Sequence, residues 1–282
     1  MKKRTKKKLW KFIRKTLKSL LKLVFYYPFN GLWWLIKKIF VKSKEKVKEI
    51  SKKRDTSKKE NKRPKSKIKF GQFKELKNKK GKLVEFTNKL YKNKSMIGLI
   101  LGARGTGKSA IGMRMLENFK AKTTKKVYAL GFKEESLPTW IKVVNDIAEI
   151  ENDAVILVDE GGIEFSSRNA MSNANKFLSE LLLIARHKDL SVIFITQNSA
   201  NLEINAIRQA DYLILKPSSL LQKDFERKKI KDVYESVNEE FEELKGTLGL
   251  TYLYADSYLG FITNSLPSFW SDKVSKGYAN KK

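Results

Sequence analysis

Eight consecutive residues, Gly102-Ala103-Arg104-Gly105-Thr106-Gly107-Lys108-Ser109, fit the spacing G-x-x-x-x-G-K-[ST] at every fixed position. A loop that wraps an anion with its own N–H groups needs backbone conformations that side chains obstruct, which explains the glycines. Lys108 then offers an ammonium to the outer phosphates of a nucleotide, and Ser109 offers a hydroxyl to Mg²⁺. About fifty residues on, the apolar run 154–158 (AVILV) ends on Asp159-Glu160. An acid at the end of such a strand holds Mg²⁺ through its water shell, and a second acid beside it can take a proton from the attacking water. Asp159 is therefore the expected metal residue and Glu160 the expected general base. Gln197 follows another apolar run, 192–196 (VIFIT), which would carry its amide to the same edge and to a γ-phosphate. The cofactors implied are ATP and Mg²⁺, and the chemistry is phosphoanhydride hydrolysis.

Such a constellation needs a scaffold that brings distant loops together. Residues 95–101 read as the strand entering the loop and 110–119 as the helix whose N-terminal dipole faces the anion. Further apolar runs at 127–130 and 212–215 read as strands. Between them, 137–150 and 173–187 carry apolar residues at helical spacing. Alternating strands and helices predict an α/β fold, a mostly parallel sheet sandwiched between two helical layers, with its ligand at the strands' C-terminal ends. Residues 218–245 read as a charged helical region. In it Arg227, Lys228, Lys229 and Lys231 either face DNA or, given the glutamates at 239, 240, 242 and 243, belong to a solvated arm. Residues 249–265 read as a hairpin turning near Asp256-Ser257, within a catalytic domain spanning 83–270 and followed by a tail at 271–282.

Charge divides the chain unequally. Of 60 Lys/Arg and 30 Asp/Glu, residues 1–100 hold 35 and 6, which leaves 25 against 24 for the remainder. Within residues 9–24, Leu9, Trp10, Ile13, Leu17, Leu20, Leu21 and Val24 share one helical face and five basic residues the other. This is the pattern of a helix lying in an anionic membrane interface. The uncharged stretch 23–36 is shorter than the roughly 20 residues of a spanning helix and contains Pro28, Asn30 and Gly31. An interfacial or re-entrant anchor over 1–41 is the expectation, and docking on the protein's own domain or a partner is the alternative. Residues 42–82 read as a Lys-rich extended tether, able to hold phosphate backbones without reading sequence, or simply solvated. The chain has no cysteine, which excludes disulfides, thiolate metal sites and thiol nucleophiles, and its one histidine, His187, excludes a His-rich metal centre.

The loop, the Asp159-Glu160 pair with Phe165-Ser166-Ser167-Arg168 behind it, the stretch Ala185-Arg186-His187-Lys188-Asp189-Leu190-Ser191-Val192 and the later Ile207-Arg208-Gln209-Ala210-Asp211 occur in a distinctive order. In this order the chain resembles the FtsK/HerA clade of P-loop ATPases, over roughly residues 95–270. That clade includes DNA translocases, viral genome-packaging ATPases and zonular occludens toxin-like assembly proteins. The resemblance implies an ATPase acting as a ring, commonly a hexamer, on DNA without sequence specificity. Virion or channel proteins are the alternative load, and a switch or scaffold with little turnover is a further one. It also implies that Gln197 senses nucleotide state and that a neighbour's arginine completes the site, with Arg208, Arg186 and more weakly Arg168 as candidates. Gly161-Gly162 departs from the Ala-His or Ala-Gln that usually follows the paired acids. Together these readings predict a membrane-associated motor with its ATPase domain in the cytoplasm.

Overall fold

A computed structural model of the chain describes residues 63–160, 170–202 and 204–275, with two short stretches at 10–11 and 14–19. The chain divides into two compact units, residues 1–61 and 62–282. In the first, residues 14–19 are helical and Leu17 and Trp10 are exposed. The rest of the expected anchor, and residues 42–62 of the tether, lie outside the described residues. Among those described, no helix is long and apolar enough to cross a membrane.

The second unit is built on one nine-stranded sheet. Its strands are Lys74–Gly81 (β1), Ile97–Leu101 (β2), Lys126–Leu130 (β3), Lys142–Val143 (β4), Ala154–Asp159 (β5), Leu190–Ile195 (β6), Tyr212–Leu215 (β7), Thr251–Ala255 (β8) and Tyr258–Thr263 (β9). Their order is β1-β9-β8-β7-β2-β6-β5-β3-β4. From β7 to β4 every pairing is parallel, whereas β8, β9 and β1 add an antiparallel edge.

The central strands are apolar throughout because both their faces are covered. On one face Leu99, Leu101, Ile156 and Phe194 pack with Leu178, Leu181 and Ala185 of helix Ala170–Ala185. Ile230, Val233, Tyr234 and Phe241 of the region 218–245 pack on the same face. On the other, Ile100, Val155, Leu157 and Ile195 pack with Phe86 and Leu90 of helix α1 (Leu83–Lys92) and with Ile111, Met115, Leu116 and Phe119 of helix α2 (Lys108–Lys122). Gly112 lets α2 lie directly on β5, since a Cβ there would stand 2.7 Å from Leu157 Cδ1.

Three expectations require correction. Residues 63–82, read as tether, are part of the domain. Arg63 is buried and donates to the carbonyls of Leu137 (2.9 Å), Pro138 (2.7 Å) and Ile141 (2.6 Å). Gly71 exchanges two hydrogen bonds with the Asn118 side chain, at 2.9 and 2.8 Å. Beyond it, β1 pairs with β9. Residues 137–150 are not a helix. They form the short strand β4 and the 3-10 turn Ile147–Glu149, which Asp146 caps. Arg63 occupies carbonyls that a helix would need for its own ladder, while Leu137, Ile141, Val144 and Ile150 are anchored singly in the core. The region 218–245 is no solvated arm: of its three short helices, Leu220–Phe225, Lys228–Glu235 and Asn238–Glu243, the second and third press an apolar side onto the sheet, while Leu221 and Phe225 of the first are exposed.

Candidate nucleotide site

The site lies where β2, β6 and β5 end. Strand β6 runs between the other two, with Ile100 opposite Ile195 on one side and Asp159 opposite Ile195 on the other. Thr196 and Gln197 therefore emerge between the glycine loop and the acidic pair. Residues 102–107 make a loop in which Gly102, Gly105 and Gly107 have φ of 144°, 81° and 89°, a region that side chains disfavour. Gly107 then caps α2, so the helix begins on Lys108 and Ser109.

Ser109 Oγ donates to Asp159 Oδ2 at 3.2 Å. This contact joins two hard oxygen donors from positions fifty residues apart, which suits a small divalent cation held partly through water. Lys108 Nζ donates to the carbonyls of Gly102 (2.7 Å) and Ala103 (3.0 Å). Burial pulls its ammonium below the ordinary lysine range, and the Asp159 carboxylate partly offsets this. Glu160 accepts a hydrogen bond of 2.5 Å from Thr196 Oγ1. A cleft of about 710 Å³ connects Arg104, Lys108, Ser109, Asp159, Glu160 and Gln197, with Leu266 and Trp270 from the C-terminal segment on its wall. The donor set fits a magnesium nucleotide. A Cβ at Gly105 would meet nothing within 4 Å, which leaves open space beside the loop, and the oxygens of Ser109 and Asp159 are adjacent.

The fold thus unites Lys108, Ser109, Asp159, Glu160 and Gln197, with Gly102, Ala103, Gly105, Thr106 and Gly107 forming the loop beneath. It does not bring the arginine candidates to the same cleft. Arg186 follows the Ala170–Ala185 helix just before β6, and Arg208 precedes β7, so both stand at the strands' N-terminal ends and both are exposed. A five-residue strand separates those ends from the loop by about 16 Å. Arg168 and Gly161-Gly162 lie outside the described residues.

The chain matches the zonular occludens toxin (Zot) family over residues 109–212, from the loop serine to the start of β7. No curated protein matches it in sequence. Among solved structures, it is similar to the genome packaging NTPase of Sulfolobus turreted icosahedral virus 2 in complex with sulfate. Identity is 18% over 62% of this chain and 98% of that one, with a TM-score of 0.42. The pCW3 conjugation coupling protein TcpA with ATPγS gives 14% identity over 64% and 62%, with a TM-score of 0.44. The EssC ATPases 2 and 3 of Geobacillus thermodenitrificans give 14% over 74% and 47%, with a TM-score of 0.42.

Several site residues have no signal in the sequence motifs. Thr196 carries the hydrogen bond that holds Glu160, and its position directly before Gln197 was the available clue. The carbonyl of Gln197 accepts from Gln222 Nε2 at 2.6 Å, and Gln222 also donates to Glu226 at 3.1 Å. Glu226 in turn accepts from Ser199 N at 2.7 Å. The loop bearing Gln197 is therefore fastened to the helix Leu220–Phe225. Arg114 and Glu117 form a buried ion pair of 2.7 Å on α2. Arg114 also donates to the Ser265 carbonyl (3.1 Å), and Glu117 accepts from Ser268 N (2.9 Å), which brings the C-terminal segment to the cleft wall.

Proposed function

We propose that this protein is a membrane-associated, ATP-hydrolysing motor that moves DNA as a ring, in genome packaging or DNA transfer. The observation that carries the reading is the Ser109–Asp159 contact, with Lys108 and Glu160 in the same cleft. The loop amides and Lys108 would hold the phosphates of ATP, and Ser109 with Asp159 would hold Mg²⁺, which supplies charge neutralisation at the transferring phosphoryl group. Glu160, oriented by Thr196, takes the proton of the attacking water. Gln197 stands between loop and acid to register whether the outer phosphate is present. Arg186 and Arg208 both stand away from their own chain's cleft, as expected of an arginine that serves a neighbouring subunit. That supports a ring, with a hexamer as the expected size.

DNA as the load is supported by the lysine excess of the first hundred residues. Attachment to an anionic membrane surface, with the ATPase domain on the cytoplasmic side, is supported by the amphipathic pattern of residues 9–24. Phosphate release with and without DNA tests the motor. DNA should stimulate turnover, and Lys108→Ala and Glu160→Gln should each abolish it. Turnover indifferent to DNA at every ionic strength would sink the translocase reading. The Zot match over 109–212 favours a second reading, in which the same ATPase drives virion assembly and its load is protein. Co-purification with a coat or export-channel protein, without DNA cross-linking, would select it.

A further inference from the structure

Lys216, the residue after β7, has 1% of its surface exposed. Its Nζ donates to the carbonyls of Gly249 (3.0 Å) and Leu250 (3.1 Å) and to Thr251 Oγ1 (2.7 Å). All three acceptors are neutral, and among the described residues no carboxylate pairs with it. Burying an ammonium without an anion is costly, and an uncharged side chain could close the same seam.

Its location supplies a reason for the charge. Lys216 N donates to the Leu101 carbonyl at 2.8 Å, and Ala103 N donates to the Pro217 carbonyl at 3.0 Å, so this segment is hydrogen-bonded to both ends of the entry into the glycine loop. A Cβ on Gly102 would stand 2.5 Å from Lys216 Cβ, and one on Gly107 would stand 4.0 Å from its Nζ. The ammonium therefore lies directly behind the loop. Tyr234 fixes the residue from the opposite side, its hydroxyl donating to the Lys216 carbonyl at 3.0 Å.

We propose that Lys216 is a second cation of the phosphate site, acting through the loop from behind without touching the nucleotide, so that it favours ligands by the number of their phosphate charges. It is a positioning residue, and the inference rests on the reading of the cleft as a nucleotide site. Burial pulls its ammonium down to about 7. Among the described residues, the titratable groups linked to it are Tyr234, which donates to its carbonyl, and Lys108, whose ammonium donates to the carbonyl of the intervening Gly102; residues 249–251 present carbonyls and the Thr251 hydroxyl. An arriving polyphosphate favours the charged form, and a proton is taken up on binding near neutral pH.

Calorimetric titration of the full chain with AMP, ADP and a non-hydrolysable ATP analogue, each with Mg²⁺, tests this. Lys216→Met and Lys216→Gln should weaken the triphosphate about tenfold, ADP less and AMP least, as expected for attraction that scales with ligand charge. Lys216→Arg should retain the preference. Proton uptake, read from buffers of different ionisation enthalpy, should fall in both neutral variants. Equal losses for all three nucleotides, or none, would overturn the proposal and leave Lys216 a packing residue. Should the neutral variants fail to fold, the wild-type preference for triphosphate over AMP should still decline between pH 6 and 8.5, and a flat ratio overturns it. A wild type that binds none of the nucleotides would instead refute the reading of the cleft.

Discussion

Glu160 and Thr196 show how little separates a carboxylate that works from one that merely sits in a cleft. The Thr196 hydroxyl has one proton, and two acceptors lie within reach: Glu160 Oε2 at 2.5 Å and the Asn198 carbonyl at 3.0 Å. Aligning the candidate base thus depends on a hydroxyl shared with the loop that bears Gln197. Thr196→Val should lower kcat for ATP about tenfold with KM within about twofold, because an orienting contact outside the phosphate grip is lost; steady-state kinetics would check this. Lys216 makes a second residue-scale prediction, about the apo protein. With its folded pKa near 7 and an ordinary value above 10 when unfolded, the unfolded chain binds more protons between those limits. Stability should therefore rise with pH across that window relative to Lys216→Met. Denaturant midpoints at pH 6.5 and 9 would show the difference, and the opposite slope would contradict the burial of a charged amine.

Among the elements, α2 does the most connecting. It begins with Lys108 and Ser109, and farther along, Glu117 accepts from Lys69 N at 2.9 Å while Asn118 grips Gly71. Removing one partner of a buried pair leaves the other charge uncompensated, so Glu117→Ala should destabilise the fold by about 3–5 kcal/mol, measurable by denaturant titration. The loop itself was legible in the sequence because its chemistry demands glycines and a lysine at fixed spacing, and β2, β5, β6 and β7 because strands buried on two faces are apolar throughout. Strand β1 was not legible. Its sequence, KELKNKKG, is mostly exposed and is held by backbone pairing to β9, and backbone hydrogen bonds leave no trace in side-chain type. Residues 137–150 misled for a related reason: single apolar anchors fall at helical spacing while Arg63, one basic residue among many, takes the carbonyls. Lys216 was equally hidden as one of sixty basic residues.

At the scale of the whole molecule, the domain begins earlier than composition suggests. A chain starting at Lys62 keeps Arg63 and β1 and should remain soluble with a single thermal transition. One starting at Leu83 loses both and bares the edge of β9, so it should aggregate on expression. Comparing the soluble fractions of the two, and their melting curves, would locate the true boundary. DNA-stimulated turnover of the Lys62 form, set against the full chain over a range of salt, would then separate the contribution of residues 1–61. If those residues supply phosphate contacts, the slope of log affinity against log salt should be shallower without them.

The antiparallel edge also has a consequence for how the protein is made. Lys74 pairs with Thr263, so the first strand of the domain finds its neighbour only after residue 263 has left the ribosome. Residues 1–41 emerge long before that. If they recognise an anionic surface, as their amphipathic pattern predicts, they can meet it on a nascent chain whose sheet has yet to close, before a first turnover of ATP is possible.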